Sequence, residues 1–229
     1  MIFSRSVQKE IMDDVLINDE RMDDALRELT VINKWLGGNA TSRKGVKTMA
    51  RKLAPREMIS ILDVGAGGSD VARALESLRR DVKITSLDLN LRACEYSCKI
   101  VPTVDVVNGT VHALPFKEGS FDVVHVSLFL HHFTDDELKD ILPSLLRIAR
   151  VGIVINDLRR TVISYIGIIL LTRLFSKSAM VRNDGPLSVR RGFTRSELVR
   201  VCSMLPSSSF TIQRTWAFRW LVCITKNNE

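Results

Sequence analysis

The feature that most constrains the fold is the stretch ISILDVGAGGSD, from Ile59 to Asp70. It starts with apolar and β-branched residues around a single acid, Asp63, and runs into glycines at positions 65, 67 and 68. An apolar run of this length that ends in glycines is typical of a buried parallel strand followed by a tight loop. The glycines allow a sharp turn and leave room for a ligand against the main chain. Because Ser69 and Asp70 then open a helix, the sequence predicts a nucleotide-binding strand–loop–helix.

A second predicted strand supplies an acidic residue for the same site. The segment VKITSLDLN is an apolar strand that ends on Asp88, 23 residues beyond Gly65. An acid at this place holds a ribose diol through two hydrogen bonds. The third glycine of the GxGxxG dinucleotide motif would stand at position 70, where this chain has Asp70. Since a carboxylate there would repel a pyrophosphate but hold an ammonium, the pattern favours an adenosine cofactor that carries an amino acid.

Three segments together resemble the class I S-adenosylmethionine-dependent methyltransferases: LDVGAGGSD, LDLN and ALPFKEGSFDVVHVSLFLHHF. The nearest group is the ubiquinone/menaquinone-biosynthesis-like (type 11) branch of small-molecule enzymes, and the resemblance is strongest over residues 55 to 157. It implies S-adenosyl-L-methionine as cofactor, with Asp88 on the ribose hydroxyls. It also implies that Asp63, Gly65 and Gly67 form the cofactor loop. The full set of predicted cofactor-binding residues is Asp63, Gly65, Ala66, Gly67, Gly68, Asp70, Asp88, Leu89, Thr110, Val111 and Ser127.

The chain departs from this family at the adenine contact. The family often reads GDAxxLPF before the fourth strand, whereas this chain reads GTVHALPF, so Thr110 stands where an aspartate would meet the adenine amino group. A hydroxyl is a weaker partner than a carboxylate. We therefore expect the backbone of Val111 to carry more of the adenine recognition.

Alternation of strands and helices predicts an α/β fold with a doubly wound, mostly parallel sheet. The resemblance implies the seven-stranded, Rossmann-like methyltransferase form. Residues 210–216 and 218–227 are predicted to close the sheet as an antiparallel hairpin. Two helices, over about 20–36 and 42–53, are predicted to form an N-terminal cap. We thus expect a cap at 1–54 and a cofactor-binding domain at 55–229. The predicted strands lie at 59–64, 83–88, 104–107, 121–127 and 152–158, and the helices between them at 69–80, 90–98 and 135–149.

An insertion after the fifth strand interrupts this alternation. Residues 161–176 are strongly apolar but too short for a membrane span, and residues 177–193 are predicted to form a basic, turn-rich loop. Nine Lys or Arg and two acids fall between 159 and 200, while residues 10–28 hold eight acids and two arginines. We therefore hypothesise a lid at 159–193 over the acceptor pocket, with Arg190 and Arg191 facing the acidic N-terminal residues or an acidic headgroup. The alternative is that residues 161–176 pack as core or as a dimer interface. The same apolar stretch suggests peripheral membrane contact through 161–193.

The candidate catalytic residues follow strands four and five, where ligands bind in open α/β sheets. Methyl transfer to a phenol can require a base, and His131 and His132 follow strand four. The resemblance favours His132 slightly, and His131 stays open. Asp157, at the end of strand five, is either part of the catalytic group or an ion-pair partner of Arg159 or Arg160. The predicted catalytic residues are His132, His131 and Asp157, and the predicted substrate-binding residues are His131, Arg159, Arg160 and Ile166.

These features favour a methyltransferase for a small, apolar, aromatic hydroxylated acceptor such as a quinone, polyketide or phenolic lipid, with oxygen as the favoured acceptor atom. A cofactor-binding partner module without turnover remains an alternative. A nucleic-acid methyltransferase is disfavoured, because the [DN]PP[YF] signature is absent and the basic stretch lacks interleaved aromatic residues. The four cysteines form no CxxC pair, and the N-terminus has no apolar core. We therefore expect a cytoplasmic protein with reduced thiols and no metal site.

Overall fold

The computed structural model describes residues 4–53, 58–76 and 82–227, which form one seven-stranded sheet with helices around it. The strands are β1 (Ile59–Val64), β2 (Val82–Asp88), β3 (Asp105–Asn108), β4 (Phe121–Ser127), β5 (Ala149–Leu158), β6 (Ser208–Thr215) and β7 (Arg219–Lys226). The helices are α1 (Glu20–Trp35), α2 (Gly38–Ala50), α3 (Asp70–Glu76), α4 (Leu91–Ile100), α5 (Asp135–Ile148), α6 (Val162–Phe175), α7 (Ala179–Arg191) and α8 (Arg195–Cys202).

The strand order is β3-β2-β1-β4-β5-β7-β6. Strands β1 to β5 are parallel, whereas β7 is antiparallel to both β5 and β6. This arrangement confirms the predicted fold class and the C-terminal hairpin. The chain leaves β1 toward one side of the sheet and later returns to β4 on the other side. A crevice therefore opens between β1 and β4 at the carboxyl ends of the strands.

Helix α7 replaces the loop that was predicted at 177–193. Ser178 caps the helix by accepting from the Val181 N–H, and apolar side chains such as Met180 and Leu187 are buried. Gly185 lets α7 approach α6 closely, because a Cβ there would lie 3.2 Å from Thr172 Cγ2. Gly185 and Pro186 indicate a turn by local propensity, but tertiary packing outweighs that propensity. The loop prediction was therefore wrong.

The two N-terminal helices form as predicted but occupy different places. Helix α2 packs on β5 and β7, and Gly45 makes this possible, since a Cβ there would lie 2.3 Å from Val154 Cγ1. Helix α1 instead contacts α4 and α7 and lies beside the crevice. The predicted cap boundary at 54 and the end of the helix predicted at 69–80 lie outside the described residues. No helix among the described residues is long and apolar enough to cross a membrane.

Candidate cofactor and acceptor site

A cavity of about 400 Å³ lies at the carboxyl ends of β1, β2 and β4. Ligand pockets commonly have volumes of about 300–1,000 Å³, so a small organic cofactor fits this space. The cavity is also lined by the N-terminal segment, α1 and α7. The eleven residues predicted to bind cofactor all line it: Asp63, Gly65, Ala66, Gly67, Gly68, Asp70, Asp88, Leu89, Thr110, Val111 and Ser127.

The glycine loop after β1 is fixed by hydrogen bonds to the end of β2. The Gly65 and Ala66 N–H groups both donate to the Leu87 carbonyl, and the Gly67 N–H donates to Asp88 Oδ2 at 2.8 Å. Gly65 has φ +66°, and a Cβ there would lie 2.1 Å from the Phe129 ring. A side chain at position 65 is therefore excluded both by the backbone conformation and by Phe129.

Two carboxylates beside this loop have raised pKa values. Burial raises the pKa of Asp70, although a 3.3 Å hydrogen bond from Asn33 Nδ2 and the charge of Arg219 oppose this effect. Burial also raises the pKa of Asp88, although the Asn90 and Gly67 N–H groups oppose this effect. A ligand that brings an ammonium to Asp70 and hydroxyl donors to Asp88 would compensate both burial penalties.

A buried network behind the cavity fixes the ends of β4 and β5 against α2. His125 Nδ1 lies 2.7 Å from Asp63 Oδ1, and its Nε2 lies 2.8 Å from the Ser42 hydroxyl. The Asn156 amide donates to the same hydroxyl and to the Ser127 hydroxyl. The Ser42 hydroxyl thus links His125, which holds Asp63, to Asn156, which holds Ser127. Asp63 and Ser127 both line the cavity.

His131 is the buried centre of a second polar cluster that lines the same cavity. Its Nδ1 lies 2.7 Å from Asp157 Oδ1, and its Nε2 lies 3.4 Å from Glu10 Oε1. Burial alone would lower the pKa of His131, but Asp157 and Glu10 outweigh burial and raise it to about 9. The same imidazolium holds the pKa of Asp157 below its usual range, despite burial. At neutral pH we therefore expect a charged His131 between two carboxylates.

His132 has a different environment from its neighbour. Its Nδ1 contacts Asp13 Oδ1 at 2.5 Å, and Arg191 Nη1 donates to the other oxygen of Asp13 at 2.8 Å. Since Asp13 engages Nδ1, Nε2 of His132 is left for a ligand. The side chain of His132 is 20% exposed, against 2% for His131. His132 is therefore the more accessible imidazole.

The N-terminal segment supplies two site residues that the sequence analysis missed, Glu10 and Asp13. The only indication of Glu10 and Asp13 in the sequence was the excess of acidic side chains over 10–28, which is opposite in charge to the basic excess at 159–200. The predicted contact between Arg191 and the acidic N-terminus is confirmed by the Arg191–Asp13 ion pair. A pairing across this sequence distance cannot be read from local motifs, because it depends on the fold of α7.

Glu10, His131 and His132 could also hold a metal ion by position, since one ligand atom from each lies within 4.8 Å of the others. The cluster already contains cationic groups. Arg191 Nε lies 4.0 Å from Glu10 Oε1, and each imidazole has a carboxylate partner. Ion pairs between protein side chains therefore account for the short distances among Glu10, His131 and His132.

Four predicted residues do not line the cavity. Asp157 lies behind His131 and is fully buried. Arg160 is buried and pairs with Glu197 at 2.6 Å. The carboxylate of Asp157 pairs with His131, and in the described part of the chain no ion pair joins it to Arg159 or Arg160. The Arg159 guanidinium lies 5.3 Å from the centre of the Phe218 ring. Ile166 is 52% exposed on the outer side of α6, which turns Ser164 and Thr172 inward. The structure thus brings α7 to the cavity but not α6.

The central part of the chain is similar in sequence to known methyltransferases. Residues 61–152 match a family model described as a methyltransferase domain. An uncharacterized methyltransferase of Synechocystis sp. is 32% identical over 92 residues, which are 40% of this chain and 42% of that protein. A demethylmenaquinone methyltransferase of Thermotoga maritima is 31% identical over 93 residues, 41% of this chain and 39% of that protein. The matched region spans about two fifths of each relative.

Solved structures resemble the whole fold at low sequence identity. The plantazolicin methyltransferase BpumL, solved with SAH, superposes with a TM-score of 0.67 at 14% identity over 95% of this chain and 99% of that chain. Human N-acetylserotonin methyltransferase, solved with SAM, superposes with a TM-score of 0.65 at 16% identity over 91% of this chain and 56% of that chain. The fold predicted from the glycine loop is therefore confirmed along most of the chain.

Proposed function

We propose that this chain, whose residues 61–152 match the family model of a methyltransferase domain, binds S-adenosyl-L-methionine and transfers its methyl group to a small apolar hydroxylated acceptor. The observation that carries the proposal is one cavity with two unlike polar walls. The glycine loop with Asp70 and Asp88 forms one wall, and the cluster around His131 and His132 forms the other. A cofactor on the first wall and an acceptor beside the second would share this cavity.

The first wall suits the two ends of the proposed cofactor. Asp88 accepts from the Gly67 and Asn90 N–H groups and keeps acceptor capacity for ribose hydroxyls. Asp70 would hold the ammonium of the amino acid. Thr110 and the Val111 backbone line the cavity where adenine recognition is expected. When bound, S-adenosylmethionine supplies a methyl group on a positively charged sulfur.

The second wall suits a phenol or hydroxyquinone. We assign the base to His132, whose Nε2 would accept the hydroxyl proton while Asp13 holds Nδ1. The charged His131, held between Asp157 and Glu10, would fix the position of this wall beside His132. Asp157 is then a positioning residue, because it reaches the acceptor only through His131. Arg159, Arg160 and Ile166 have no direct role in this assignment.

An apolar aromatic acceptor agrees with the other lining groups of the cavity. Phe129, Phe133 and Met12 offer apolar contacts beside the histidines. Water exclusion by such side chains favours transfer to a positioned acceptor over side reactions. Quinones and phenolic lipids partition into lipid, which agrees with the peripheral membrane contact expected for residues 161–193.

Part of the basic excess is unavailable to a nucleic-acid acceptor. Arg160 and Arg191 belong to the basic segment, yet both are buried and paired with protein carboxylates. Phosphate contacts require exposed cations. These two arginines of the basic segment therefore stabilise the fold through ion pairs.

The proposal is tested by incubating the protein with trideuteromethyl-labelled S-adenosylmethionine and a panel of hydroxyquinones and phenolic lipids. Mass spectrometry should find a labelled product whose mass increases by one trideuteromethyl group at an oxygen. The His132→Ala variant should lose product while it retains cofactor binding. Tight cofactor binding without product from any acceptor would contradict turnover and favour a binding module. Labelled nucleic acid would contradict the small-molecule acceptor.

A further inference from the structure

Helix α6 has an inverted distribution of polar and apolar side chains. Ile163, Ile166, Leu170 and Leu174 recur at helical spacing and are 52–72% exposed, and Phe175 at the end of the helix is 79% exposed. The buried residues of this helix are instead Ser164 and Thr172. A helix that serves only the protein core shows the opposite pattern. The exposed stripe of α6 is therefore an unpartnered apolar face among the described residues.

The inward polar residues are satisfied, so the helix is stable in this orientation. The Ser164 hydroxyl bonds to the Arg159 carbonyl at 3.0 Å, and the Thr172 hydroxyl donates to the Ile168 carbonyl at 2.8 Å. Both hydroxyls thus find partners without water. On the outer side, a Cβ on Gly167 would meet no atom within 4 Å. The orientation of α6 is fixed by its contact with α7, and its apolar side faces away from the protein.

Two exposed tryptophans lie on elements that contact α6 at its two ends. Glu28 of α1 accepts from the Lys177 N–H, just after α6, and Trp35 lies seven residues beyond Glu28 on the same helical face. Trp216 lies beside Gly37, directly after α1. The hairpin turn that contains Trp216 also accepts from the Arg159 N–H through the Phe218 carbonyl. Trp35 and Trp216 are 75% and 76% exposed, so both indoles are available to a surface that α6 contacts.

The exposed charged side chains of α6 and of the residues just after it are basic, whereas the acid beside them, Glu28, accepts from the Ser176 hydroxyl and from the Lys177 and Ser178 N–H groups. The exposed charged side chains between 161 and 183 are Arg173, Lys177 and Arg182, and Lys34 beside Trp35 is also exposed. Apolar residues together with lysine, arginine and tryptophan are typical of helices that lie in a membrane interface. A symmetric contact with a second copy would instead bring these cations close to their equivalents. Charge therefore favours an anionic surface.

We infer that the apolar stripe of α6, with Trp35 and Trp216, binds peripherally to an anionic phospholipid surface. The stripe inserts into the headgroup region, and Arg173, Lys177 and Arg182 contact lipid phosphates. At 14 residues the helix is too short to span a bilayer. Because α7 contacts both α6 and the cavity, this surface holds the acceptor side of the molecule near the lipid. The inference does not depend on the identity of the acceptor.

The test is sedimentation of the full chain with vesicles of equal parts phosphatidylglycerol and phosphatidylcholine, compared with phosphatidylcholine alone. The wild type should sediment with the anionic vesicles, and binding should weaken at 1 M salt, where the Debye length falls to about 3 Å. The Ile166→Asp/Leu170→Asp double variant should bind about tenfold more weakly or worse. Met58→Asp is the matched control, since Met58 is 60% exposed but precedes β1 at the opposite end of the sheet.

Each variant should keep the wild-type circular dichroism and unfolding midpoint, because the substituted side chains are exposed. Failure of the wild type to bind anionic vesicles would overturn the inference, as would equal binding by the double variant. A dimer in solution that the double variant converts to a monomer, without vesicle binding, would assign the face to a second copy. Cofactor binding is measured without vesicles, so its failure would count against the proposed function alone.

Discussion

The charged state of His131 predicts a specific dependence of protein stability on pH. The pKa of His131 rises from an ordinary 6.5 to about 9 on folding, because Asp157 and Glu10 outweigh burial. This difference corresponds to about 3 kcal/mol of folding free energy. The folded state binds the extra proton, so the contribution is fully present below about pH 6.5. It is lost progressively as the pH rises to about 9.

The assay is urea unfolding of the wild type and of a double variant, His131→Gln with Asp157→Asn, at a series of pH values from 6 to 9.5. The double variant replaces the charged pair by neutral groups of similar size, so that Asp157 does not remain as a buried carboxylate without its cation, while Glu10 keeps Arg191 at 4.0 Å. The difference in unfolding free energy between the two proteins should shrink by about 3 kcal/mol over this range. Other titrating groups cancel in the difference. If the difference in unfolding free energy stayed constant with pH, His131 and Asp157 would not form a charged pair.

Three further outcomes follow from contacts in the cavity. Gly65→Ala should destabilise the protein by several times more than Gly119→Ala, measured by urea unfolding. Both glycines have positive φ, but a Cβ added at Gly65 would lie 2.1 Å from Phe129, whereas one added at Gly119 would lie 3.5 Å from its nearest atom, Arg150 Cγ. Equal losses of unfolding free energy in the two variants would contradict the steric argument. Thr110→Val should change cofactor affinity by less than about threefold in calorimetry, and a large loss would make its hydroxyl the recognition element. His132→Ala should lower turnover by about 10²–10⁴-fold with cofactor affinity kept, whereas near-normal turnover would leave positioning as the mechanism.

The sheet and the cofactor wall could be predicted because their signals are local. The apolar strand before Gly65 and the acid at Asp88 stand at fixed spacing, and parallel strands bring their carboxyl ends to one edge. The antiparallel hairpin likewise follows from two adjacent apolar runs. These elements need no knowledge of distant residues.

The acceptor wall depends on contacts that the sequence pattern does not contain. Glu10 reaches His131 across more than half of the chain, and Asp184 fixes that segment by accepting from the Ile11 and Met12 N–H groups. Helix α7 was missed because Gly185 and Pro186 favour a turn. The orientation of α6 was missed because the apolar side of a helix is normally expected to face inward.

The proposal that the glycine loop and Asp88 bind S-adenosylmethionine is tested most directly by calorimetry with this cofactor and with NAD, on the wild type and two variants. We predict binding of S-adenosylmethionine but not of NAD. In Asp88→Ala, the affinity should fall about 100-fold or more, because two hydrogen bonds to a charged group are lost. Asp105→Ala, which removes an exposed acid paired with Lys83, should leave the affinity unchanged. Unchanged affinity in Asp88→Ala, or preferential binding of NAD, would contradict the binding of S-adenosylmethionine through Asp88.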